Sequence, residues 1–147
     1  MARSIIAVIA SYIIMFILNF IGFVSLYTIV GPNNAFKPHL YLASNRWIAM
    51  SFGMILITGI IAGLICALIA KGGKAPLALA VVVVVLGLLL AVPSMAKARA
   101  NAGMVRIGDV PQMEAAQKAY WPIWTPFAFP FVSAIGVLIG GKLKKRK

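Results

Sequence analysis

Polar residues fall along this chain in a few short clusters, and long stretches between the clusters carry almost none. Ile5 to Val30 has no charged residue and is long enough for a hydrocarbon layer that needs about 20 residues. A second apolar run extends from Trp47 to Ala70, a third from Ala75 to about Val92, and a fourth from Trp121 to Gly141. The pattern predicts an all-α integral membrane bundle, one domain over 1–147, with transmembrane helices at about 5–30, 47–70, 75–92 and 121–141. The third run contains five consecutive valines, Val81 to Val85, which would suit a buried strand in water. In lipid a lone strand leaves its backbone groups unpaired, so a helix is expected. The first run exceeds the roughly 7 to 15 apolar residues of a signal peptide and lacks a following small-residue cleavage site, so it is expected to stay in the protein.

The second span has a distinctive face. At about 100° per residue, Gly59, Ala62, Gly63, Cys66 and Ala70 share one side, nearly flat, against which another backbone can pack closely. The fourth span repeats the device with Gly136 and Gly140, again four residues apart, so the second and fourth helices are expected to cross closely or to meet a partner. Ser51, Thr58 and Ser133 are weakly polar positions beside these glycines, and Asn19 in the first span needs a hydrogen-bonding neighbour because an unpaired amide in hydrocarbon is costly. These four are the candidate polar interior. Tyr12 lies one heptad before Asn19 on nearly the same face. The fourth span opens with Pro122, Pro126 and Pro130, expected to kink it or to replace its first turn by extended chain. Pro93 is expected to end the third span.

The connections are unequal. Gly31 to Arg46 reads as a turn-rich loop holding the only histidine, His39, an interfacial position. Ser94 to Tyr120 is the longest polar stretch and holds both acids, Asp109 and Glu114. Within it a short amphipathic helix is expected at about 110–120, with Asp109 as cap, Gln112 in the capping-box position and a Glu114–Lys118 pair. Val110, Met113, Ala116, Gln117 and Tyr120 share a side expected to lie on the membrane surface or on a partner.

Charge adds orientation. The formal charge is +12, but the basic residues sit between and beyond the apolar runs rather than interleaved with polar surface, so nucleic acid is not an expected partner. Residues 142–147 form a basic tail in which Lys142, Lys144, Lys145, Arg146 and Lys147 can contact anionic lipid. With four spans this tail joins Arg3, Lys71 and Lys74 on one side; Lys37, Arg46, Lys97, Arg99, Arg106 and Lys118 occupy the other. The denser basic clusters favour cytoplasmic termini in a bacterial inner membrane.

Candidate chemistry is sparse. One histidine, one cysteine and two acids do not supply the three or four ligands of a metal site, and no cofactor is expected. Cys66 is read as a small packing residue. None of the expected spans carries an ionisable residue in its interior, which argues against proton-coupled transport, and no phosphate loop, nucleophile elbow or cysteine pair occurs. Asp109 and Glu114, five apart, are poor as a paired-carboxylate site. The hairpin from Gly59 through Lys71-Gly72-Gly73-Lys74-Ala75-Pro76 to the valines resembles the centre of small, uncharacterised four-helix bacterial membrane proteins, a likeness that implies the fold and no activity. The expected function is therefore that of a non-catalytic multi-pass protein, an accessory or scaffold subunit of a larger membrane complex, respiratory or photosynthetic among the candidates. Its partners would be the bilayer and other membrane subunits or copies of itself. The alternative is a small-solute or ion pathway through a homo-oligomer, lined by Asn19, Ser51, Thr58 and carbonyls freed near Pro126. A lipid-directed enzyme is a third class, without a nucleophile, base or metal set to support it.

Overall fold

The computed structural model describes residues 1–71, 73–108 and 110–145, with only the backbone of residue 145. It contains α1 (Ala2–Val30), α2 (Pro32–Ala35), α3 (Asn45–Ala70), α4 (Ala75–Asn101), α5 (Gln112–Lys118) and α6 (Thr125–Lys145). Four of these, α1, α3, α4 and α6, are long and apolar enough to cross a membrane, so the chain is a multi-pass helical membrane protein. Their most extensive contact is α3 with α6, followed by α4 with α6 and α1 with α3. Contacts of α1 with α4 and of α3 with α4 are much smaller. The four helices thus form a ring in the order α1, α3, α6, α4 whose α1/α4 closure is its loosest seam.

Several boundaries differ from expectation for local reasons. Helix α4 does not stop at Pro93 but runs eight residues further to Asn101. Proline removes the donor that would serve the Leu89 carbonyl, and next to it the Ser94 hydroxyl donates to the Leu90 carbonyl at 3.0 Å. The extension is anchored from outside the helix: Lys97 Nζ donates to the Ala116 carbonyl at 2.7 Å and Asn101 Nδ2 to the Lys118 carbonyl at 3.0 Å. Tertiary bonds therefore override the proline.

Helix α6 begins at Thr125, not Trp121. The chain before it is extended, with Tyr120 N–H donating to the Tyr41 carbonyl at 3.1 Å and the Tyr120 carbonyl accepting from Ala43 N–H at 3.0 Å. Pro122 lies outside the helix, where its carbonyl accepts from Thr125 N–H at 3.0 Å. Pro126 occupies the first turn, where no helical donor is lost. Of the three prolines expected to kink the span, Pro130 alone is interior.

Helix α3 starts two residues before Trp47, because the Ser44 hydroxyl accepts from Trp47 N–H at 3.1 Å and caps it. Its far end is served by side chains: Arg3 Nε donates to the Ile69 carbonyl at 2.7 Å and Lys144 Nζ to the Ala67 carbonyl at 2.6 Å. Terminal helix carbonyls lack intrahelical donors and favour nearby cations. The four-residue link to α4 turns through Lys71 and Gly73, both at positive φ (57° and 86°).

The two longer connections, expected as separate loops, fold together into a cap over the bundle end formed by the finish of α1 and the start of α3. Phe36 pairs with Ala43, Leu40 with Val105 and Leu42 with Tyr120 in isolated bridges, and a buried cluster of Phe36, Tyr41, Trp47, Ala98, Val110 and Tyr120 sits beneath. Helix α5 is shorter than the expected 110–120, and the side expected to meet the membrane surface or a partner is divided. Val110 and Tyr120 are buried with Ala115, while Met113, Ala116 and Gln117 are exposed. Only seven residues are helical, so a 3.6-residue period cannot be carried through the extended flanks. The structure starts this helix at Gln112, which is therefore not a third-position capping residue; Asp109, the expected cap, lies outside the described residues.

Candidate functional site

Two features of the bundle bear on function: the glycine seam between α3 and α6, and a groove along the α1/α4 seam. At the first, an added Cβ on Gly59 would stand 2.6 Å from the Ser133 carbonyl oxygen and one on Gly136 would stand 2.6 Å from that of Leu56. A Cβ on Gly63 would overlap the Val137 backbone and one on Gly140 the Ile60 backbone. The backbones themselves form this seam. The rest of the expected flat face divides. Ala62 and Cys66 are fully buried, and Ala70 is half-buried.

The groove is a cavity of about 290 Å³ to which all four spanning helices contribute. Tyr12, Asn19 and Phe23 come from α1, Gly87 and Ser94 from α4, Pro126, Phe129 and Ser133 from α6, and Ile55 from α3; Trp121 stands at the cap end. Its aromatic rim is ordered edge to face, Trp121 to Phe129 at 5.0 Å and 86°, and Trp121 to Phe23 at 6.4 Å and 71°. No acidic, basic or histidine side chain lines it.

The polar residues expected to share an interior do so only partly. The Thr58 hydroxyl donates to Asn19 Oδ1 at 3.0 Å, across α3 and α1, and also lies 3.1 Å from the Ile55 carbonyl of its own helix. Ser133 points its hydroxyl at Met15 Sδ, 3.5 Å away, from within the same groove. Ser51 is fully buried but donates to the Trp47 carbonyl at 2.7 Å and does not line the groove. Pro130, the interior proline, leaves the Pro126 carbonyl without its helical donor, and both prolines line the groove.

Outside the spans, the cap contains a residue that the charge pattern registered only as a cation. Arg106 is 5% exposed, donates from Nη1 to Asn33 Oδ1 at 3.1 Å and to the Gly108 carbonyl at 2.9 Å, and lies over the Phe36 ring at 5.7 Å. Its own N–H donates to the His39 carbonyl at 3.0 Å. His39 is exposed at φ 58°, so it serves as a turn residue. Glu114 accepts from Lys118 at 2.8 Å and from the Tyr41 hydroxyl at 3.0 Å. Those bonds, Lys118 first, hold its carboxyl below the usual range and raise Lys118.

Among the described residues, no three His, Cys, Asp or Glu side chains converge on one point. Of the tail cations, Lys144 caps α3 and Lys142 is exposed; the side chain of Lys145 and all of Arg146 and Lys147 lie outside the described residues. Comparison of the chain with protein-family models, with curated proteins and with solved structures finds no match in any of the three.

Proposed function

We propose that this protein is a non-catalytic subunit of a larger membrane assembly and docks through its cap. The observation that supports this is apolar exposure beyond the end of a spanning helix. Helix α4 spans about 40 Å, more than a hydrocarbon core of about 30 Å, and beyond its end Val105 is 64% and Ile107 87% exposed, with Met104 beside them. On the lipid-facing sides of the helices such residues are ordinary; on the cap they are a surface for a protein partner. The exposed basic residues Lys37 and Arg99 on the same end favour an acidic one. In this reading the protein resides in a bacterial inner membrane with both termini cytoplasmic.

Extraction in a mild detergent followed by sizing tests the proposal. The particle is expected to exceed one 15.7 kDa chain plus its detergent, and the double substitution Val105→Lys, Ile107→Lys should reduce it to a monomer. A wild-type protein that is a clean, stable monomer without a co-purifying chain would overturn it. The second reading is a solute or ion pathway through a homo-oligomer, favoured by the groove at Asn19. Reconstituted flux that falls on Asn19→Leu would support that reading in place of the first.

A further inference from the structure

The groove lies near the middle of the four long apolar helices. Helix α1 is centred near residue 16, so Asn19 is displaced from its midpoint by about 4.5 Å and Tyr12 by about 6 Å in the opposite direction, both well inside a core of about 30 Å. Thr58, bonded to Asn19, lies at the centre of α3. Gly87 and Ser133, also lining the cavity, fall near the centres of α4 and α6. Two donors in this region have no described protein partner. Asn19 Oδ1 is taken by Thr58, but its Nδ2 donates to no described residue, and neither does the Tyr12 hydroxyl. Polar hydrogens at this depth are costly when unpaired.

The lining selects what could pair them. With no charged side chain in the groove, an ionic ligand would bring an uncompensated charge into hydrocarbon, so the occupant is neutral. A phospholipid keeps its ester carbonyls and phosphate near the headgroups, about 15 Å from the midplane, and cannot present them to Asn19. The cavity follows the least-packed seam of the ring, α1 against α4, and therefore opens toward lipid, which suits a ligand that arrives through the bilayer. Its rim of Phe23, Trp121 and Phe129 offers ring edges and faces to a flat partner.

We propose that the groove binds a neutral, lipid-soluble ring compound bearing carbonyl oxygens, of the quinone class, with its carbonyls accepting hydrogen bonds from Asn19 Nδ2 and the Tyr12 hydroxyl and its apolar tail leaving between α1 and α4. This does not depend on docking through the cap, since a monomer holds the complete groove.

The test uses the full chain in nanodiscs, with a decyl-substituted benzoquinone as probe and tryptophan emission as readout, because Trp121 lines the groove. Wild-type protein should show saturable quenching at one quinone per chain. Decylbenzene, which has the tail and ring but no carbonyl, should not compete. Asn19→Leu should weaken binding roughly tenfold and Tyr12→Phe roughly threefold, the loss of one hydrogen bond each. Should Asn19→Leu fail to fold without its Thr58 bond, Tyr12→Phe keeps the test decisive, since it removes a hydroxyl that no described residue holds. Quenching that only rises linearly with quinone, equal competition by decylbenzene, or unchanged affinity in Tyr12→Phe with melting temperature intact would each overturn the proposal.

Discussion

The two seams of this bundle solve the same problem in opposite ways. Between α3 and α6, glycines at 59, 63, 136 and 140 bring backbone onto backbone, with no room for a side chain. Between α1 and α4 contact is slight, and the space is left as a groove whose polar groups are half satisfied. In lipid, apolar side chains gain little by meeting each other, so close packing has to supply the cohesion. Where packing is tight the helices hold; where it is absent a cavity can be kept open without collapsing the ring. Stability and binding are thereby assigned to different edges of one small structure.

Substitutions should expose that division. The largest effect is expected from Gly63→Leu or Gly140→Leu, each driving a side chain into the facing backbone, with a loss of at least about 3 kcal/mol, the upper part of the overpacking range. Gly53→Ala on the same helix as Gly63 meets nothing within 4 Å and should leave the protein as stable or slightly more so. Denaturation in mixed micelles compares the pair, and equal losses at positions 53 and 63 would refute the backbone contact. Next, Gly87→Ala pushes a methyl group into the Pro130 ring across α4 and α6 and should cost about 1–3 kcal/mol by the same assay.

Smaller changes fall to α1. Thr58→Val removes the bond to Asn19, and measured bonds of this kind average about 0.6 kcal/mol; a loss as large as that of Gly63→Leu would show that α1 is held more firmly than its contacts indicate. The smallest effect concerns the cap. Glu114 has a lowered pKa from Lys118 and Tyr41, so its contribution is present above the ordinary carboxyl range, near 4.5, and fades as pH falls through the lowered value. Following the Glu114 carboxyl carbon by NMR during acid titration should place its midpoint below 4.5, and Tyr41→Phe should shift it back toward that value.

Much of the fold is legible because membrane thickness constrains it. Runs such as Ile5 to Val30 can do little in lipid except form helices, and two glycine pairs in the second and fourth spans indicate where those helices can approach. What the sequence hides depends on distant residues. Pro93 is a good local stop signal and fails because Lys97 and Asn101 are held by α5. Arg106 looks like one more exterior charge, yet its partner Asn33 lies 73 residues away and its burial requires both connections to fold together. The groove is equally invisible. Asn19 and Tyr12 advertise a polar face, but that α4 stands off from it is a property of packing, which periodicity does not record.

Arg3 and Lys144 donate to carbonyls only two residues apart, those of Ile69 and Ala67, at one end of α3. The chain is thereby drawn nearly into a closed loop, with segments 141 positions apart in sequence pinned to the same half-turn of helix. A fluorophore attached near each would report high energy transfer in the assembled bundle and lose it on the first separation of α1 or α6 from α3. The same closure makes the protein suited to circular permutation: a short linker between these segments would preserve every spanning helix, while new ends opened in the link between α3 and α4 would free that corner alone.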